Sequence, residues 1–181
     1  RATLIDSLRK SNKDMLLFDC GDFSQGSPFY NMFKGDVEVK LMNAMGYDAI
    51  TIGNHEFDFG LENMARLFKM ANFDIVNCNY DVKGTELEGL VKPYVIIKRD
   101  GLKIGVLGVG PQLKGLVQDK NFEGIQFNDP VKSAQEVATY LKKKEKCDLV
   151  IVLSHLGWQG EPYSDEAFIA KLISEGCLKT F

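Results

Sequence analysis

The chain has 181 residues, 45% hydrophobic and 26% charged, which fits one folded domain with a substantial core and excludes a disordered or collagen-like chain. Lys and Arg number 22 against 25 Asp and Glu, for a net charge of −3, so there is no basic surplus to neutralise a nucleic-acid backbone and nucleic acid is not expected as a partner. No apolar run reaches the about 18 residues of a membrane helix, and the scattered Cys20, Cys78, Cys147 and Cys177, with no C-x-x-C pair, read as small buried hydrophobes rather than a zinc or redox motif.

In chain order, Leu4, Ile5 and Leu8 share one helical face, and Ser11-Asn12-Lys13 stops that first helix. Met15 to Asp19 has the apolar run of a buried strand, and a loop with Gly21, Gly26 and Pro28 follows. Asp36 is the expected N-cap of a helix carrying Val37, Val39, Leu41, Ala44 and Met45 and closing on Gly46. Asp48 to Ile52 is the next strand, with Gly53-Asn54-His55-Glu56 as the loop at its end. Leu61 to Ala71 is helical in period, its apolar face leading into a strand over Phe73 to Val76.

Residues between Tyr80 and Pro93 have the composition of a surface loop. Tyr94 to Ile97 and Leu102 to Leu107 predict a hairpin about Asp100-Gly101, a strong turn signal. Asp129-Pro130 starts a helix to about Lys144, whose last turns are rich in lysine, as the helix dipole favours. The strand Asp148 to Leu153 ends in Ser154-His155-Leu156-Gly157, and a final helix runs from Asp165 to about Ser174. This alternation predicts an α/β fold: a layered sheet, mixed parallel with an antiparallel hairpin, flanked by helices.

Ligands of open α/β sheets gather beyond the carboxyl ends of the strands, and three predicted strands end alike. Gly21-Asp22 follows the first, Gly53-Asn54-His55 the second and His155 the last, so both histidines of the chain fall at such ends. A carboxylate such as Asp22 can bridge two divalent cations about 3.5–4 Å apart, while Asn54 offers a neutral oxygen and His155 a ring nitrogen. Neutral ligands leave such a site positive and suited to an anionic substrate, with phosphate esters the natural candidate. Singly, each residue has a plainer reading: Asp22 and Asn54 as turn residues, His155 as a hydrogen-bonded structural histidine, Asp58 as a helix N-cap. The joint pattern carries the argument.

Taken together, Gly21-Asp22-Phe23-Ser24-Gln25-Gly26 and Gly53-Asn54-His55-Glu56-Phe57-Asp58 resemble the motifs of the calcineurin-like metallophosphoesterases, specifically the catalytic domain of the 5′-nucleotidase branch, and Leu153-Ser154-His155-Leu156-Gly157 is similar to a third family motif. The resemblance covers nearly all of the chain and makes residues 1–181 one catalytic domain. It implies nucleotide catabolism: hydrolysis of nucleoside 5′-monophosphates or related nucleotides by hydroxide activated on two divalent ions, Mn, Zn, Fe or Co. By matched position, Asp22 would bridge the ions, and Asn54 and His155 would complete much of the second ion's shell. Asn54 would also touch the substrate phosphate, His55 would stabilise the transition state or protonate the leaving oxygen, and Asp58 would orient and charge His55.

Two ligand-bearing motifs of the family, an Asp-x-His before the first helix and a Gly-His-x-His after the last, are not in the sequence. The chain is therefore expected to be a partial catalytic domain that holds metal weakly by itself, with Glu175-Gly176-Cys177-Leu178 standing where a further strand is expected. The resemblance also implies a separate C-terminal substrate-binding domain and export to the periplasm or cell surface. The alternative is a non-catalytic module of the same fold that binds a ligand or partner without turnover, against which the intact His55 and Asp58 speak.

Overall fold

A computed structural model describes residues 1–159 and 163–174. Along them run α1 (Ala2–Ser11), β1 (Phe18–Asp19), α2 (Pro28–Phe33), α3 (Asp36–Met45), β2 (Ala49–Ile50), α4 (Gly60–Met70), β3 (Asp74–Val76) and β4 (Tyr80–Asp81). Then follow β5 (Val91–Lys92), β6 (Tyr94–Arg99), β7 (Leu102–Val109), β8 (Gln126–Phe127), α5 (Pro130–Lys143), β9 (Leu149–Ser154) and α6 (Asp165–Ser174). The mixed α/β class is as expected, with the strands divided between two principal sheets. The first, in the order β1-β2-β3-β5, is parallel throughout. The second, β6-β7-β9, joins the antiparallel hairpin to a parallel β9.

Alternating side chains explain how the sheets stack. Ala49, Val76, Ile104, Val106 and Leu153 meet between the two sheets. Ile50 and Ile75 point the other way, onto Val39 and Met42 of α3 and the Leu61, Met64 and Phe68 face of α4. Leu107 and Val109 face Val131, Ala134 and Leu141 of α5 and Phe168 of α6. The result is four layers, helices outside and two sheets within. At Gly108 the sheets come so close that a Cβ would overlap the Val76 carbonyl and the Thr51 hydroxyl, and the Cys78 N–H crosses to the Gly108 carbonyl at 2.8 Å.

Local sequence accounts for most element ends. The Asp129 carboxylate accepts from the N–H groups of Val131 (2.9 Å) and Lys132 (3.0 Å) at the start of α5, and Asp100 and Gly101 both take positive φ, as a two-residue hairpin turn requires. The structure corrects other expectations. The loop after β1 contains the short helix α2, capped where Ser27 Oγ accepts from the Tyr30 N–H (3.2 Å). Gly35, not Asp36, is the N-cap of α3, and the Asp36 carboxylate pairs instead with Arg66. Asp58 does not cap α4 either, because Phe59 stands at that position without a side-chain cap bond.

β1 is shorter than the apolar run suggests, since side chains take the place of ladder partners: the Leu17 N–H donates to Asp48 (2.7 Å) and the Met15 carbonyl accepts from Arg99 (3.4 Å). Residues 80–93 are not a free surface loop. Tyr80 and Leu87 are buried, β4 pairs with β8, and β5 extends the first sheet. Cys147 is buried as expected, whereas Cys78 is half-buried and Cys20 exposed. The stretch Glu175-Gly176-Cys177-Leu178 lies outside the described residues. No helix among the described residues is long and apolar enough to cross a membrane.

The close approach at Gly108 has a measurable consequence. Gly108→Ala is expected to destabilise the fold by roughly 3 kcal/mol, read as a lower urea midpoint with an unchanged slope. An unchanged midpoint would contradict this packing.

Candidate functional site

The site forms where the loops after β1 and β2, in one sheet, meet the loop after β9 in the other. Gly21 and Gly53 pass backbone against backbone. A Cβ on Gly21 would overlap the Gly53 amide nitrogen, one on Gly53 would overlap the Asp22 carboxylate, and Gly21 has a φ of +93°.

So close a passage turns several N–H groups inward, away from water, and one carboxylate receives them. Glu56 is buried; its Oε2 accepts from the N–H groups of Gly53 (2.7 Å) and Asp22 (2.8 Å), and its Oε1 from the Phe23 N–H (3.0 Å) and, more weakly, the Ser24 hydroxyl (3.5 Å). Burial pushes the Glu56 carboxyl up to about 7 against the pull of the Asp22 and Gly53 amides.

Asp22 answers in the other direction. Its Oδ1 accepts from the His55 N–H (2.9 Å), and its Oδ2 lies 3.1 Å from His155 Nε2. Burial raises the Asp22 carboxyl, but the hydrogen bonds from His155 and the His55 amide outweigh it and hold the group below the usual carboxylate range. The hydrogen bond to Asp22 in turn raises His155, with burial opposing. His155 Nδ1 sits 2.6 Å from the Cys20 carbonyl, so the proton on that nitrogen donates across the sheets and Nε2 is the ring atom presented to Asp22.

His55 and Asp58 are paired, Nδ1 to Oδ2 at 3.0 Å, each side chain about one-third exposed, at 35% and 37%. The turn carrying them is fixed from both sides: the Tyr30 hydroxyl donates to the His55 carbonyl (3.0 Å), and Asn121 Nδ2 donates to the Asp58 carbonyl (3.0 Å). Asn54 opens this turn and, with His155, lines a cleft of about 460 Å³ that extends to Gln112, Lys114, Leu116 and Tyr163. The buried Asn79 side chain holds the root of that far wall, bonded in both directions to Gly110 at 2.9 and 2.8 Å.

The five sequence-predicted residues thus come together. Asp22 touches His55 and His155, His55 touches Asp58, and Asn54 shares a cleft with His155. They meet at adjoining ends of two sheets rather than along one edge of a single sheet. A carboxylate, an amide and an imidazole turned on its Nδ1 hydrogen bond make a donor set that suits part of a divalent cation's shell. Among the described residues no group of three or more His, Cys, Asp or Glu could hold a metal ion. Sequence reasoning overlooked Glu56 and Tyr30. Glu56 stands inside the quoted Gly-Asn-His-Glu motif, and an acidic residue next to the apolar Phe57 at a strand end is a signal for a buried carboxylate with dedicated donors.

Residues 1–176 match the family model described as calcineurin-like phosphoesterase. The chain is 37% identical over 162 residues to a 5′-nucleotidase of Vibrio cholerae, which covers 87% of this chain and 29% of the relative. It is 39% identical over 186 residues to a 2′,3′-cyclic-nucleotide 2′-phosphodiesterase/3′-nucleotidase of Haemophilus influenzae, covering 92% and 28%. Among solved structures, a 5′-nucleotidase precursor from Thermus thermophilus superposes with a TM-score of 0.77 at 31% identity, covering 87% of this chain and 31% of that one. The chain spans under a third of the length of these relatives.

The role of Tyr30 can be tested apart from any chemistry. Tyr30→Phe removes the donor to the His55 carbonyl and is expected to cost about 1 kcal/mol, with faster amide exchange confined to the turn from His55 to Asp58. Unchanged exchange there would show that the hydroxyl does not hold the turn.

Proposed function

We propose, from the premise that the chain belongs to the calcineurin-like phosphoesterase family, that it carries the catalytic machinery of a metal-dependent phosphoesterase acting on nucleoside 5′-monophosphates or related nucleotides. The observation that carries this reading is the linked set Asp22, His155, His55 and Asp58, in which the His55 backbone N–H meets Asp22, with Asn54 and His155 lining one cleft beside it. Asp22, Asn54 and His155 would hold divalent cations, of which two are expected, with the remaining ligands supplied from outside the described residues. A divalent cation in this position supplies positive charge for phosphoryl oxygens and makes water acidic enough to ionise near neutral pH.

The chain's own groups divide the rest of the work. The Asn54 side-chain amide orients a phosphate oxygen in the cleft, and Lys114 adds positive charge at its far wall. His55, held by Asp58 through Nδ1, keeps Nε2 for the substrate. When the ring is protonated on both nitrogens, Nε2 donates its proton to the departing alkoxide while Nδ1–H stays on Asp58. The carboxylate fixes the ring's direction and balances its charge. As part of the same proposal, a separate C-terminal domain grips the base, and the protein acts in the periplasm or at the cell surface. The relatives, more than three times the length spanned by this chain, leave room for such a domain.

In the full-length protein, His55→Ala is expected to lower kcat on AMP by about 10²–10⁴, the span of lost general-acid and electrostatic help, with metal content unchanged. Asp58→Asn should act in the same direction by less, and both losses should shrink for esters with better leaving groups. A His55 variant that loses metal would overturn this division of roles. Absence of turnover by the wild-type protein with added Mn²⁺ would favour the non-catalytic module.

A further inference from the structure

Glu56 does not line the cleft, yet more donors of the site converge on it than on any other side chain described above. Of its three amide partners, those of Asp22 and Phe23 belong to the loop after β1, as does the Ser24 hydroxyl, and that of Gly53 belongs to the loop after β2. Asp22 Oδ1 returns the link by accepting from the His55 N–H, so each loop sends a carboxylate into the other's backbone. Asp22 is held with φ at +58°, a left-handed conformation that costs a non-glycine residue energy and persists only where its surroundings impose it. The direction in which the Asp22 side chain leaves the backbone therefore depends on the hydrogen bond that fixes its amide.

We propose that Glu56 is the positioning residue that sets the separation of Asp22 and Asn54, and through it the affinity of the site for divalent cations. This rests on reading Asp22 and Asn54 as ligands. The chemistry of the position is selective. A carboxylate has two acceptor oxygens for amides arriving from two loops, whereas a glutamine of the same shape keeps one and points an NH₂ group at N–H donors. An apolar residue would leave three amides without a partner. Aspartate keeps the charge but lacks the reach to hold both loops in their present places.

The test uses the full-length protein and Mn²⁺ as the probe, with affinity read by calorimetric titration beside the thermal midpoint. Glu56→Gln and Glu56→Asp are expected to weaken Mn²⁺ binding about 10–100-fold, the range for a residue that orients metal ligands, with the kcat deficit narrowing as Mn²⁺ is raised. Leu141→Ala, a fully buried change under the second sheet, serves as a control that lowers stability without touching the loops and should bind Mn²⁺ as the wild type does. Should Glu56→Gln fail to fold, Glu56→Asp carries the test. Wild-type Mn²⁺ affinity in the folded Glu56 variants, or an equal loss in Leu141→Ala, overturns the proposal. Asp22→Asn, which keeps a residue suited to the left-handed backbone there, separates the two ideas: loss of Mn²⁺ there but not in the Glu56 variants refutes the positioning role alone, and retention there refutes the ligand reading beneath it.

Discussion

Two loops that must lie backbone against backbone cannot each satisfy their own amides, and that constraint shapes everything around Asp22 and Asn54. Gly21 and Gly53 leave no room for side chains where the loops cross, so water is excluded and the inward N–H groups need a buried acceptor. Glu56 is that acceptor. Its burial would be expensive for an isolated carboxylate, and three amides at 2.7 to 3.0 Å make it tolerable. The same contacts hold Asp22 in its positive-φ conformation and place Asn54 and His55 on a turn whose far side Tyr30 secures.

The second constraint is that the site spans two sheets. His155 follows β9, yet its Nδ1 hydrogen bond ends on the Cys20 carbonyl after β1, and its Nε2 meets Asp22. That geometry depends on how closely the sheets approach, which Gly108 and the Cys78 amide fix in turn. Core packing and site chemistry are therefore coupled: a change that spreads the sheets would separate an imidazole from its carboxylate without altering either residue.

Much of this was legible in the sequence, for identifiable reasons. Asp129-Pro130 and Asp100-Gly101 announce their structures because a cap and a two-residue turn are local events decided by one or two side chains. The pairing of both histidines with strand ends pointed to residues that the fold does bring near one another, because strand periodicity and chain direction suffice to place a strand's carboxyl end. What the sequence hid was long-range. Nothing local tells that β1 and β9 belong to different sheets, that Tyr80 and Leu87 pin a polar segment into the core, or that Asp36 would turn to Arg66 and leave the cap to Gly35. The choice between helix cap and histidine partner for Asp58 was open for the same reason, since both alternatives lie within four residues of it. The structure resolves it, with the carboxylate at 3.0 Å from His55 and no cap bond to α4.

We propose that loops from two sheets build one cation site on Asp22 and His155. Anomalous diffraction from crystals of the full-length protein grown with Mn²⁺ tests it most directly. The account predicts a peak within coordination distance of both the Asp22 carboxylate and His155 Nε2, with His155 Nδ1 still bonded to the Cys20 carbonyl. A peak remote from this pair, with Asp22 and His155 still bonded to each other, would contradict it.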